Sequence, residues 1–179
     1  TKVGVLLIFD EVMTGFRLSA NGGAGVFDVR PDIITYGKVL GGGFPIGAVG
    51  AKADIIKTKD VFYGGTFSAN PLSMYAAKLI LKTIVNKEYI QYDKINYAGE
   101  LFRNELNSFF VKFGIKMRAT GCGSINRIIF TDKFIKNRGD RDEFEPKNAQ
   151  EAFSNKLKGL RVFVNGNGLY HFSMSHTPE

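Results

Sequence analysis

The sequence predicts an α/β fold, in which part of a large mixed-sheet domain precedes a smaller α+β module. Three observations carry this. The run Val3-Gly-Val-Leu-Leu-Ile-Phe9 is uncharged, mostly apolar, and stops at Asp10-Glu11, the pattern of a parallel strand buried on both faces. A second short strand, Ile33 to Tyr36, leads into Gly37, Lys38 and then Gly41-Gly-Gly43. From about Tyr89 the texture changes to one long amphipathic segment followed by short strands. The change sets a domain boundary near Glu88, with residues 1–88 in one domain and 89–179 in the other.

Taken in order, Asp10 falls at or just past the carboxyl end of the first strand. In open α/β sheets ligands bind at that edge. A loop cap is the plain alternative for Asp10, and a surface charge for Glu11. Thr14 to Gly25 reads as a glycine-rich loop carrying Arg17, and Asp28 to Asp32 as a polar turn with proline as breaker. Phe44 to Gly50 reads as a turn and strand, and Ala53 to Thr58 as a short helix. Phe62 to Asn70 is a loop of small donors ahead of a strong helix, Pro71 to Val85. Asn70 suits the cap and Pro71 the first turn. Amides and hydroxyls in such a place favour an anion such as phosphate, although a plain capped helix start explains them equally well.

In the second module, Asp93 to Phe113 predicts an amphipathic helix with Ile95, Leu101, Phe102, Leu106, Phe109 and Phe110 on its apolar side. Gly114 ends it. Strands are predicted over 115–118, 124–130, 160–164 and 169–174, a helix over 149–157, and a solvated charged loop over 138–146.

Composition narrows the functional classes. The chain has 179 residues, 44% apolar and 23% charged, as an ordinary globular protein does. Its single cysteine, Cys122, excludes an intramolecular disulfide and any cysteine-only metal site. That suits a reducing compartment, and the cytoplasm is the expected location. No stretch approaches the roughly 20 apolar residues of a membrane helix. The net charge of +7 is scattered from Lys2 to Arg161 without interleaved aromatics, so a nucleic-acid partner is not expected. His171 and His176 lie five apart with no carboxylate at ligand spacing, and no metal site is expected. The chain begins at Thr1, almost inside a strand, so the sequence is expected to be the C-terminal portion of a longer protein.

Lys38 is the residue on which the chemistry turns. A lysine between apolar residues and a glycine run either snorkels from its loop or is held as a nucleophile able to form a Schiff base with an aldehyde. Two other stretches bear on the choice. Pyridoxal phosphate chemistry needs a lysine amine, a carboxylate that keeps the pyridine nitrogen protonated, and small donors for the phosphate. Lys38, Asp10 and Gly65-Thr66 supply those three parts. Val5 to Glu11 also looks like the magnesium-binding strand of an ATPase, but that reading needs G-x-x-x-x-G-K-[ST], and the chain has none.

Three ordered motifs carry a family resemblance: Phe9-Asp-Glu-Val-Met-Thr-Gly-Phe-Arg17, Pro31-Asp-Ile-Ile-Thr-Tyr-Gly-Lys-Val-Leu-Gly-Gly-Gly-Phe-Pro-Ile-Gly-Ala48 and Gly64-Gly-Thr-Phe-Ser-Ala-Asn-Pro71. Together they resemble class III aminotransferases, with glutamate-1-semialdehyde 2,1-aminomutases the nearest branch. The second module matches more loosely, mainly at Ser175-His-Thr177. The resemblance implies the C-terminal portion of a pyridoxal-phosphate-dependent transferase of fold type I. It implies a homodimer with shared active sites, acting on a small-molecule amino donor and acceptor. It also implies that Asp10 pairs with the pyridine nitrogen, Val12 packs on the ring, and Lys38 is the Schiff-base lysine. Thr66, with Gly65, is implied to reach the cofactor phosphate of the neighbouring subunit. Aminomutases carry a glutamate shortly before the His-Thr pair, whereas Val164 to Ser173 holds no acid. A related transaminase, acting on a sugar or a small amino ketone, fits as well. A non-catalytic fragment that keeps the fold as a dimerisation module is the alternative of a different class.

Overall fold

The computed structural model describes residues 4–57, 64–86, 90–164 and 168–176. The chain divides into two compact units, 1–92 and 93–179. Unit one holds a mixed three-stranded sheet in the order β1-β2-β3. β1 (Ile8–Glu11) pairs in parallel with β2 (Ile33–Tyr36), and β2 pairs antiparallel with β3 (Ala48–Ala51). α1 (Gly22–Val26) lies between β1 and β2, α2 (Ala53–Ile56) follows β3, and α3 (Pro71–Val85) closes the unit.

β2 and α3 lie where the residue pattern sets them. Asn70 accepts from the amides of Leu72 and Ser73, and Pro71 opens the first turn, so two of the orphan donors at this helix start are satisfied. β1 differs from expectation. Val3 and Thr58 are outside the described residues; residues 4–7 are not strand, and the strand runs on through Asp10 and Glu11. The cause is a contact from 25 positions away. The Leu7 amide donates to Asp32 Oδ2 at 2.8 Å, and the Leu7 carbonyl accepts from the Asp32 and Ile33 amides, so regular pairing starts only at Ile8. Nor is this run buried on both faces. Val5 is 64% and Ile8 59% exposed, because among the described residues β1 pairs with β2 alone.

The glycine-rich loop after β1 also differs: it contains α1, a short helix despite its composition, Gly-Gly-Ala-Gly-Val. Its backbone amides hold a buried side chain, described below, and tertiary contact outweighs the weak helix propensity of glycine.

Unit two is a second sheet, order β4-β5-β6, with three helices. α4 (Tyr92–Lys112) ends at Gly114, whose φ of +63° is the left-handed cap conformation. On its apolar side Phe110 is buried, whereas Phe109 is 49% exposed. The strand expected over 115–118 begins only at Arg118: β4 (Arg118–Cys122) pairs antiparallel with β5 (Ile125–Ile129), which pairs with β6 (Leu169–His171). Residues 160–164 form a turn and coil, not a strand.

The charged segment 138–146 is not a loop. It forms α5 (Arg138–Phe144), capped by Asn137 Oδ1 accepting from the Asp140 amide, with Arg138 and Asp142 paired at i,i+4. It ends on Glu145, which accepts from Arg127, the Phe130 amide and Gln150 Nε2. Gln150, in the first turn of α6 (Ala149–Gly159), also donates to the Ile128 carbonyl, so the segment is tied into the core. Among the described residues no helix is long and apolar enough to cross a membrane.

Candidate active site

The parallel register sets Asp10 opposite Thr35 and Glu11 opposite Tyr36. Both strands therefore run out at one edge of the sheet. Beyond β2 the chain passes through Gly37 into a 3-10 turn, Lys38–Gly41. Gly37 allows a close approach: a Cβ there would stand 3.3 Å from Val12 Cγ1. Val12 thus packs on the backbone just ahead of Lys38. Asp10, Val12 and Lys38, three of the residues singled out by sequence, share this edge.

Their environments are uneven. Asp10 is exposed, and its Oδ1 accepts from the Val12 amide at 3.0 Å and from Thr35 Oγ1 at 3.2 Å. Among the described residues Oδ2 takes no hydrogen bond. Lys38 is exposed, and its amine has no ion-pair or hydrogen-bond partner among the described residues. Its φ is +43°, a left-handed conformation that costs a non-glycine residue roughly 1–2 kcal/mol. The strain falls on the lysine although glycines surround it, and strain of this kind gathers at functional sites.

Glu11 is not the surface charge that its residue type suggests. It is 1% exposed. Its carboxylate accepts from the Gly23 amide at 2.9 Å, the Ala24 amide at 2.6 Å and the Thr14 hydroxyl. Since side chains alternate along a strand, this anchor points away from the face that carries Asp10 and Val12. Tyr36 stacks on Phe16 with centroids 4.9 Å apart. Burial, with the nearby Glu11 charge, raises its phenol above the ordinary range. Desolvation lowers the Arg17 guanidinium.

Gly65 and Thr66 lie in the same unit, in a groove that also includes Ile46, a neighbour of Gly37 and Gly41. The groove, of about 470 Å³, is lined as well by Pro45, Ser68 and Asn70, among others; Asp10 and Lys38 are not among its lining residues. The start of α3 is not open to an anion, because Asn70 already takes the Leu72 and Ser73 amides. The Gly65 carbonyl accepts from the Ser68 amide. Donors for an anion in this groove must come from the loop itself. Phe62 and Tyr63 of that loop lie outside the described residues.

The histidines belong to unit two. His171 is in β6, whereas His176 lies beyond it, with Nδ1 3.0 Å from Ser173 Oγ; Thr177 lies outside the described residues. Among the described residues no cluster of metal-binding side chains occurs. Sequence reasoning missed two residues of the site: Thr35, whose β-branched side chain reads as an ordinary strand residue, and Glu11. The signal for Thr35 was the common exit of the two strands, which puts it beside Asp10.

Known proteins match both the sequence and the fold of this chain. The chain is 45% identical over 140 residues to the glutamate-1-semialdehyde 2,1-aminomutase 2 of Lachnoclostridium phytofermentans, covering 75% of this chain and 32% of that protein. A β-phenylalanine aminotransferase from Variovorax paradoxus superposes with a TM-score of 0.84 at 28% identity, over 99% of this chain and 41% of its own. The FumI protein of Sphingopyxis sp. MTA144, solved in its PLP internal aldimine form, superposes with a TM-score of 0.76 at 25% identity, over 99% and 40%. The chain thus spans about a third of the first relative and two fifths of the solved structures. Residues 1–151 match the family model described as Aminotransferase class-III. A part of the PLP-dependent transferase fold, the chain belongs to the class III aminotransferases.

Proposed function

We propose that the full-length protein binds pyridoxal 5'-phosphate and transfers an amino group, either between two small molecules or within one, as an aminomutase does. The observation that carries this is the presence, at one sheet edge, of an oriented carboxylate with one oxygen unbonded among the described residues and a lysine in a left-handed conformation with no partner among the described residues. The residues fit the cofactor. Asp10 Oδ1 is held and Oδ2 is left for a protonated ring nitrogen, a pairing that favours the charged carboxylate. Val12, seated on Gly37, offers an apolar face to the ring. Lys38 anchors the cofactor's aldehyde carbon, and its amine, once displaced by substrate, carries the proton between substrate and cofactor carbons. The bound group supplies an electron sink for the bond-breaking step.

Gly65 and Thr66, in a groove of small residues and potential donors, serve the cofactor phosphate of a neighbouring subunit in a homodimer with shared active sites, a role that the family likeness supports. Residues 1–88 are then part of the large cofactor-binding domain and 89–179 the small domain. The single cysteine supports a cytoplasmic enzyme. The substrate is a small amino donor or acceptor, with glutamate-1-semialdehyde, a sugar and another amino ketone as the alternatives.

A single-turnover assay tests the reading. Full-length protein loaded with pyridoxal phosphate, mixed with an amine donor and no acceptor, releases one keto product per site. Folded, loaded protein that releases none, with any of a panel of donors and with glutamate-1-semialdehyde also unconverted, contradicts it.

A further inference from the structure

Thr35 stands across from Asp10 in the parallel pair, and its hydroxyl is 3.2 Å from Asp10 Oδ1. The Val12 amide donates to the same oxygen. The terminal torsion of an aspartate is broad, so an exposed carboxylate turns unless bonds hold it. Two donors on one oxygen fix its plane and leave the other oxygen open.

We infer that Thr35 is a positioning residue: its hydroxyl, with the Val12 amide, holds Asp10 Oδ1 so that Oδ2 remains for the cofactor's ring nitrogen. The inference rests on the assignment of Asp10 made above. The residue type supports it. Valine or isoleucine would serve a half-buried strand position as well as threonine does, and Ile33 and Ile34 precede it. Only a hydroxyl adds a donor. That donor is neutral, so it orients the carboxylate without neutralising the charge that must face a pyridinium. Among the described residues Asp10 is the one side-chain partner of Thr35 Oγ1.

The test uses full-length protein loaded with cofactor labelled with 15N at the ring nitrogen, in the parent, T35V, T35S and T35A. The expected result is a protonated ring-nitrogen resonance in the parent and in T35S, moved toward the unprotonated position in T35V. Cofactor affinity falls roughly tenfold in T35V, the scale of one lost bond to a charged acceptor, and stays within about twofold of the parent in T35S. If T35V fails to fold, T35A replaces it, and thermal unfolding of the cofactor-free proteins separates loss of fold from loss of orientation. A T35V resonance and affinity equal to the parent's overturn the inference. So does a T35S shift as large as that of T35V, because packing rather than the hydroxyl would then matter. A parent that takes up no cofactor at all contradicts the Asp10 assignment itself, and the inference falls with it.

Discussion

Asp10 and Glu11 are neighbours in one strand, yet their surroundings are opposite. Glu11 is sealed beneath the sheet edge, its oxygens taken by two amides and a hydroxyl. Asp10 stands in the open with one oxygen held and the other unbonded among the described residues. The same contrast recurs between the units. Glu145 in unit two is fully engaged by Arg127, Phe130 and Gln150, whereas Lys38 has no partner among the described residues and sits in a strained conformation. A charge whose bonding is completed inside the fold serves the fold. A charge that the fold orients but leaves incomplete is available to a ligand.

Four experiments can break or sharpen that contrast. The largest effect is expected at Glu11. Glu11→Ala strands the buried Gly23 amide and the half-buried Ala24 amide and is expected to cost about 3 kcal/mol, read by urea unfolding. Asp10→Ala, one residue away, is expected to change stability by less than about 0.5 kcal/mol. Equal losses at the two positions would remove the distinction. Next is Gly168→Ala. Gly168 has φ +73°, and a Cβ there would collide with Gln150 Oε1, which disturbs the Glu145 network. A loss of about 2 kcal/mol is expected from strain and displacement together, measured in the same way.

The third concerns pH. The Leu7 amide and the Lys52 ammonium, 2.5 Å from Oδ1, hold the Asp32 carboxyl below its ordinary range. A depressed carboxyl contributes stability above its unfolded value and loses it as pH falls through its folded value. Lys52 is raised by the same pair, so its contribution persists until pH rises through that higher value. The parent is therefore expected to exceed Asp32→Asn at neutral pH and to converge with it in acid. Parallel stability curves through the acid range would contradict this. The fourth and mildest of these experiments is at Lys38, where the sign of the change is reversed. Lys38→Gly relieves the left-handed strain, offset in part by glycine's greater chain entropy. A net gain of less than about 1 kcal/mol is expected in thermal unfolding of the cofactor-free protein, while cofactor capture is lost.

Much of this was legible in the sequence where local rules act alone. β2 follows its β-branched residues, and α3 follows its cap and proline. Asp10, Val12 and Lys38 were marked by their motifs and do share one edge. What could not be read depended on contacts made at a distance. The start of β1 is set by Asp32, 25 positions on. Glu11 is buried because the Gly23 and Ala24 amides, 12 and 13 positions later, close over it. The segment 138–146 carries the charge of a solvated loop, but Asn137 caps it, an i,i+4 pair supports it, and Glu145 draws its end into the core. Thr35 reads as an ordinary strand residue until the two strands are aligned by their common exit, which sets it opposite Asp10.

The most direct test of the central claim is borohydride trapping of the full-length protein with pyridoxal phosphate, followed by peptide mass mapping. The account predicts one pyridoxyl adduct per chain, on Lys38, and none in Lys38→Ala. An adduct on another lysine, or none in folded and cofactor-supplied protein, would contradict it.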